Sequence, residues 1–187
     1  MITRREFVKG VAGFAVVGAL PEQGSSEKLV APCGLYCGAC PMYLATQEKD
    51  ETRMKSILKQ FSSGSGKFAM EDLLCDGCIA GGRVASFCAK CAIRDCASKK
   101  TEDKRCAGCL DFACSRITGF NNDGMRHHSE VLSNLRQLRQ RGIKEWAGYE
   151  AERWRCPQCR HPMSWYDAEC SKCKAKRSDR LFPLTKA

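Results

Sequence analysis

Fifteen cysteines in a chain of 187 residues constrain the possible folds more than any other feature of this sequence. An odd number of cysteines cannot all pair as disulfides within one chain, and most of these fall in C-x2-C pairs. Two thiols at this spacing can reach the same metal ion, which is why the spacing recurs in metal sites. The sequence therefore predicts that bound metal, and not a disulfide framework, stabilises a thin hydrophobic core.

The clearest predicted metal site is a pair of C-x2-C turns near the C-terminus. Its ligands are Cys156, Cys159, Cys170 and Cys173. The ten residues between the two turns allow one hairpin, for which Trp165 and Tyr166 supply strand propensity. Four thiolates complete a tetrahedron and leave no position for water or substrate. The pattern therefore predicts a structural zinc ribbon.

Eleven further cysteines lie upstream in three groups. They are Cys33, Cys37 and Cys40; Cys75 and Cys78; and two C-x2-C-x4-C units, Cys88, Cys91 and Cys96 followed by Cys106, Cys109 and Cys114. The two units repeat at an offset of 18 residues, which predicts two equivalent turns that each lead into a short helix. Eleven thiols fill two tetrahedral sites with three left over, and His127 or His128 could complete a third site.

The sequence does not decide which metal the upstream cysteines bind. Thiolate-only ligand sets suit zinc or an iron–sulfur cluster. With the ribbon included, we expect about three to four zinc ions, and an iron–sulfur cluster in the upstream module is the alternative.

The first residues predict an export signal. Residues 3–9 have the sequence TRREFVK, in which paired arginines precede an aromatic residue and a lysine. The apolar run at 11–20 is too short to span a bilayer. This pattern predicts export in folded form by the twin-arginine translocase, to the periplasm or another extracytoplasmic compartment, and leaves open whether the signal is cleaved. We expect no transmembrane helix in the mature body.

The predicted fold class is a small, metal-stapled α+β protein. It has a cysteine module with a few helices and a helical hairpin, followed by the ribbon. The module should include one helix over 42–61, and the hairpin should turn at Gly142. The expected units are a signal at 1–20, a linker at 21–30, the metal-binding module at 31–125, the hairpin at 126–152, the ribbon at 153–175 and a basic tail at 176–187.

The net charge of +10 suggests a polyanionic partner at first sight. Fifteen thiolates with about four Zn²⁺ would bring this charge to about +3, which removes most of the support for nucleic-acid binding. Two basic segments remain. One is a helix face with Arg136, Arg139, Gln140 and Arg141, predicted to be solvated. The other is the group Lys172, Lys174, Lys176, Arg177 and Arg180 near the C-terminus.

The order of these features resembles a family of cysteine-rich prokaryotic proteins classed as a domain of unknown function (domain of unknown function 3795). The resemblance covers about residues 31–175. It rests on the sequence CGLYCGACP at 33–41, on Cys75 and Cys78, on the two repeated units, and on the stretch from Asn134 to Trp146. It implies a metal-binding module, with zinc as the expected metal, and implies no reaction, substrate or partner.

The sequence shows no Ser-His-Asp set, phosphate-binding glycine loop or H-E-x-x-H pair. We therefore expect a non-enzymatic structural or interaction module with an unknown protein partner. The alternatives are an iron–sulfur redox or electron-transfer partner and a nucleic-acid-binding zinc protein.

Overall fold

The computed structural model describes residues 26–62 and 67–184, and this part of the chain is helical with almost no strand. The α-helices are α1 (Pro41–Gln47), α2 (Glu51–Ser62), α3 (Ser86–Ala89), α4 (Ala92–Lys100), α5 (Ser115–Asn121), α6 (Val131–Arg141) and α7 (Ile143–Arg153). Short 3-10 turns lie at Cys37–Ala39, Glu71–Leu73, Cys106–Gly108 and Arg126–Glu130. The predicted export signal lies outside the described residues. None of the helices that are described has the length and apolar character needed to cross a membrane.

The β part of the predicted α+β class is reduced, in the described residues, to isolated bridges. These join Val30 to Tyr36, Arg155 to Pro162, and Glu169 to Lys176. Trp165 and Tyr166, which the sequence predicts in a strand, lie in a turn. Tertiary contacts override their strand propensity, because the Trp165 side chain is buried in the main core.

The single helix predicted over 42–61 is two helices. Pro41 begins α1, as expected for the first helical position. The break comes at Lys49, whose φ of 53° is left-handed and ends the helix. The Asp50 carboxylate then accepts a hydrogen bond of 2.9 Å from the backbone N–H of Arg53, and so caps α2. The aspartate before Glu51 was the sequence signal for this second start.

The hairpin of α6 and α7 lies at the centre of the main hydrophobic core. The two helices pack against each other and are joined at Gly142, whose φ is 77°. Leu135 of α6 and Trp146 of α7 are fully buried. α6 also contacts α5 and the Cys106–Gly108 turn, so the hairpin supports the cysteine module directly.

A close contact positions the first cysteine turn on α6. Gly34 has a φ of 84°, and a Cβ atom at this position would lie 2.7 Å from Cγ of Leu135. Only glycine satisfies both conditions, the left-handed backbone and the short approach. Cys33 is therefore held next to the buried face of the hairpin.

A buried ion network closes the end of α7. The guanidinium of Arg153 donates to Glu130 at 2.5 Å and to Glu150 at 3.2 Å. The indole N–H of Trp154 donates to Glu150 at 2.9 Å. Burial raises the pKa of Glu150, and these donors favour its ionised form.

The segment predicted as a basic tail is part of the fold over residues 176–184. Leu181 and Phe182 are buried, and the Phe182 ring contacts the Trp154 ring edge to face. Arg177 donates to the backbone carbonyls of Trp165, Asp167 and Phe182. Arg177 is thus occupied by intramolecular contacts, which weakens the nucleic-acid alternative.

Candidate metal centres

The four ribbon cysteines converge on one point. The Sγ atoms of Cys156 and Cys173 are 3.5 Å apart, and those of Cys159 and Cys170 are 3.6 Å apart. All four sulfurs lie within 4.8 Å of one another. Since Zn–S bonds are about 2.3 Å long, a tetrahedral zinc site places its sulfurs about 3.8 Å apart. The set could therefore hold one metal ion with little movement of the chain.

The two turns of the ribbon have the same local geometry. In each, the backbone N–H of the first cysteine donates to the carbonyl five residues later at 2.8 Å. The residue after the second cysteine is left-handed in both turns, with φ of 63° at Arg160 and 62° at Lys174. Neither residue is glycine, so the sequence did not indicate this conformation. Backbone N–H groups of Cys159 and Gln158 lower the pKa of Cys156 to about 6, which favours the thiolate form that binds metal.

Three contacts attach the ribbon to the rest of the molecule. The backbone N–H of Trp165 donates to the Ala39 carbonyl at 2.9 Å, and that of Met163 donates to the Trp154 carbonyl at 2.8 Å. Arg53 of α2 donates to both carboxylate oxygens of Asp167, at 2.9 and 3.0 Å. The ribbon is therefore anchored to the first cysteine turn, to α7 and to α2.

A second group of cysteines surrounds a cavity of about 470 Å³, called here the large thiol cavity. Its seven cysteines are Cys33, Cys37, Cys40, Cys75, Cys78, Cys88 and Cys91. Aromatic side chains such as Phe61, Phe87 and Phe120 complete much of its wall. Helix packing thus brings together cysteines from three separate groups of the sequence.

Cys78 is central among these thiols. The neighbouring thiols of Cys37 and Cys88 lower its pKa, and Arg94 adds to this effect. The Arg94 guanidinium also donates to the Cys78 carbonyl at 2.9 Å. Burial, by contrast, raises the pKa of Cys40 to about 12. Negative charge is therefore favoured at Cys78, where a cation is close by.

Both candidate histidines line the large thiol cavity. The Nδ1 atom of His127 lies 2.6 Å from the Tyr166 hydroxyl, and that of His128 lies 2.8 Å from the Asp123 carboxylate. Burial lowers the pKa of His127 to about 3, so its ring is neutral. A neutral histidine with one nitrogen held by an oxygen has the arrangement common among metal ligands. Ligation by either histidine stays a prediction.

The remaining four upstream cysteines surround a separate cavity of about 50 Å³, the small thiol cavity. They are Cys96, Cys106, Cys109 and Cys114. Burial and the neighbouring thiols of Cys109 and Cys114 raise the pKa of Cys106 to about 12.

The two repeated units are not structurally equivalent. In the first unit Cys91 is the N-cap of α4 and Cys96 lies inside that helix. In the second unit the last cysteine, Cys114, is the N-cap of α5. The two units have the same cysteine spacing, but the helix begins after the second cysteine in the first unit and after the third cysteine in the second unit. Cys96 therefore lines the small thiol cavity with the cysteines of the second unit.

The basic face of α6 is exposed, as predicted, and Arg139 on this face also contacts the rest of the chain. Its guanidinium donates to the carbonyl of Ala107 at 2.5 Å and to that of Cys109. It also lies over the Phe112 ring, 4.6 Å from the centroid. The charge pattern of the helix gave no sign of this contact, because the partners are backbone atoms about 30 residues away in the chain.

Residues 29–119 match the model of a family described as protein of unknown function (DUF3795). This segment is a DUF3795 domain. It contains all eleven upstream cysteines, and it ends before α6 and the ribbon. Comparisons with curated proteins and with solved structures give no match.

Proposed function

We propose that this chain is an exported, non-enzymatic zinc protein that acts as a structural or interaction module for an unknown protein partner. The ribbon cysteines bind one structural Zn²⁺, and the DUF3795 domain binds the remainder of about three to four ions. The observation that carries the proposal is the convergence of four sulfurs within 4.8 Å of one another.

The ribbon site suits a structural role because four thiolates occupy all positions of a tetrahedral ion. The bound ion would fix both turns, and the turns hold Trp165 against the Ala39 carbonyl. The zinc would thereby stabilise the attachment of the ribbon to the cysteine module. Substrate activation requires an open metal position, which this ligand set does not offer.

Native mass spectrometry of the purified full chain tests the zinc assignment. Cys156→Ser should lose about one zinc and unfold the ribbon, because ligation and folding are coupled in such small sites. Ser171→Ala is the matched control, since Ser171 is exposed in the same turn as Cys170 and Cys173 and is not a ligand. An unchanged metal content in Cys156→Ser would contradict the four-thiol assignment.

The export part of the proposal rests on the sequence TRREFVK at residues 3–9. Replacing both Arg4 and Arg5 with lysine keeps the charge but removes the paired arginines. Cell fractionation should then find the protein in the cytoplasm, whereas the control Lys28→Arg should be exported like the unmodified chain. Equal export of all three proteins would rule out the twin-arginine route.

An iron–sulfur redox or electron-transfer partner is the second candidate, and the large thiol cavity favours it. A single zinc ion needs four sulfurs about 3.8 Å apart, whereas seven cysteines here surround about 470 Å³. In the part of the chain that the structure describes, only the ribbon gathers three or more ligand side chains within 4.8 Å. An iron–sulfur cluster is larger than one ion and is bound by four such thiolates.

Anaerobic purification distinguishes the two candidates. The iron–sulfur candidate predicts a brown protein with stoichiometric iron and sulfide, in which Cys78→Ser loses the colour and Cys156→Ser keeps it. A colourless protein that contains zinc alone after anaerobic purification would exclude this candidate and support the zinc protein.

A further inference from the structure

We infer that Cys96, Cys106, Cys109 and Cys114 form a metal centre of their own, separate from the large thiol cavity. The centre takes one thiophilic metal group through four thiolates. This inference rests on the proposed metal binding of the DUF3795 domain. It adds which cysteines share a metal, which the sequence leaves open, and it places Cys96 with the cysteines of the second repeated unit.

The helical geometry of α4 directs Cys91 and Cys96 to different cavities. Cys91 is the N-cap, and Cys96 follows five residues later. Five residues of α-helix correspond to a rotation of about 140° and an advance of about 7.5 Å, so the two thiols leave the helix in different directions. Cys91 accordingly lines the large thiol cavity and Cys96 lines the small one.

An apolar side chain lies between the two cavities. Ile93 lines both of them and is buried. Ala97 and Ile117, also buried, form further walls of the small thiol cavity. Ile93 therefore forms a wall shared by the two cavities, with Cys91 lining the large one and Cys96 the small one.

The turn from Cys106 to Cys109 is supported by α6. Arg139 donates to the carbonyls of Ala107 and Cys109, and so holds this turn from α6. The Cys109 N–H in turn donates to the Cys106 carbonyl at 3.2 Å, which closes the turn. Arg139 is therefore a positioning residue for two of the four thiols.

Charged side chains lie at the edge of the small thiol cavity. Four thiolates around a divalent ion carry a net charge of about −2. Lys100, Asp111 and Arg116 line the small thiol cavity, and the charge of Lys100 is paired with that of Asp111 at 2.5 Å. These three side chains together carry one net positive charge, which offsets part of the negative charge of the loaded centre.

Native mass spectrometry of the full chain, loaded with Zn²⁺ anaerobically, tests the grouping. Replacing any one of the four cysteines with serine should remove one zinc ion. The double variant Cys96→Ser with Cys114→Ser should lose no more zinc than either single variant. Cys91→Ser with Cys96→Ser should lose more than Cys91→Ser alone. The control Ser98→Ala, on an exposed position of α4, should lose nothing.

The inference is overturned if the Cys91 and Cys96 variants lose the same zinc ion. Iron and sulfide assays on anaerobically purified protein distinguish a cluster from a zinc ion at the same four thiols. An unmodified chain that binds only the ribbon ion would refute the proposed upstream metal as well. If the upstream cysteines bind metal but Cys96 shares its ion with other cysteines, this inference is refuted and the proposed function is not.

Alkylation of the unmodified chain tests the same grouping without any variant, so the test does not depend on whether the serine variants fold. During stepwise removal of metal by a chelator, the four thiols should become reactive to N-ethylmaleimide together, as one equivalent is released. Cys88 and Cys91 should become reactive in a different step. Simultaneous reaction of all six thiols in one step would also overturn the inference.

The role of Arg139 has its own test. Arg139→Gln should lower the affinity of this centre for Zn²⁺ by about 10-fold or more, as for other residues that orient metal ligands. The matched control is Arg136→Gln, one turn earlier on α6 and exposed. Competition with a chelator measures the zinc affinity of both variants. Equal affinities would show that Arg139 does not position the thiols.

Discussion

The ribbon and the large thiol cavity both consist of cysteines, yet they are assembled differently. The ribbon takes all four of its cysteines from residues 156–173, and their sulfurs lie within 4.8 Å of one another. The large thiol cavity takes seven cysteines from residues 33–91 and encloses about 470 Å³. Local turns are sufficient to build the first site, whereas the second depends on how the helices pack.

The same two regions differ in their relation to the hydrophobic core. Cys156 and Cys170 form a small cluster with Met163 and Ala175 that is separate from the main core. Cysteines of the large cavity, such as Cys37 and Cys75, belong to the main core itself. Loss of metal should therefore unfold the ribbon locally and should disturb the whole helical module when it occurs upstream.

The largest predicted effect compares Cys78→Ser with Cys156→Ser. Because Cys78 lies among the thiols of the large cavity, its loss should release the metal of that cavity and remove much of the helical circular-dichroism signal. Cys156→Ser should leave that signal nearly unchanged, because the described helices end at Arg153. Metal analysis and far-UV spectra of both variants measure the difference.

A similar loss of helix in both variants would show that the two regions fold as one unit. The exposed substitution Ser171→Ala provides the common reference for both variants.

The second prediction concerns Arg153, at the junction between α7 and the ribbon. Arg153→Met leaves Glu150 and Glu130 without their cation, and breaking a buried ion pair in this way should cost about 3–5 kcal/mol of unfolding free energy. Urea denaturation measures the loss. Native mass spectrometry should show that the ribbon keeps its zinc.

Adding Glu150→Gln to Arg153→Met should restore part of the stability, because the uncompensated buried charge is removed. If the double variant is no more stable than the single one, packing and not charge explains the loss.

The third prediction concerns Gly34, which packs the first cysteine turn, beside the large thiol cavity, against Leu135 of α6. Gly34→Ala should cost about 2–4 kcal/mol, because the left-handed backbone is strained by a side chain and the new Cβ meets Leu135. Gly124→Ala is the control for backbone strain, since its φ is 90° and nothing lies within 4 Å of the added Cβ. It should cost about 1–2 kcal/mol. Equal losses in urea denaturation would show that the Leu135 contact carries no energy.

The difference between the two regions also explains what the sequence could predict. The ribbon ligands follow from spacing alone, because all four lie in two short turns. The grouping of Cys96 with Cys106, Cys109 and Cys114 does not, because it depends on where α4 begins and how α6 packs. The sequence also missed Lys49 and Arg160, since left-handed residues other than glycine give no compositional signal.

The smallest predicted effect tests how the two regions are attached. Arg53→Gln removes the paired hydrogen bonds to Asp167. Because the Arg53 side chain is only 16% exposed and that of Asp167 only 22%, this change should lower the free energy of unfolding by about 1–2 kcal/mol. The effect should be local. Hydrogen exchange at the Trp165 amide should become about tenfold faster while the ribbon keeps its zinc, since 1.4 kcal/mol is a factor of ten.

Lys55→Gln on the same helix is the control. It breaks an ion pair in which Lys55 is 68% exposed and Glu51 is 81% exposed, and it should change the free energy of unfolding by less than about 0.5 kcal/mol. If both variants left Trp165 exchange unchanged, the Arg53–Asp167 pair would not be what holds the ribbon to α2, and the backbone contacts at Ala39 and Trp154 would suffice.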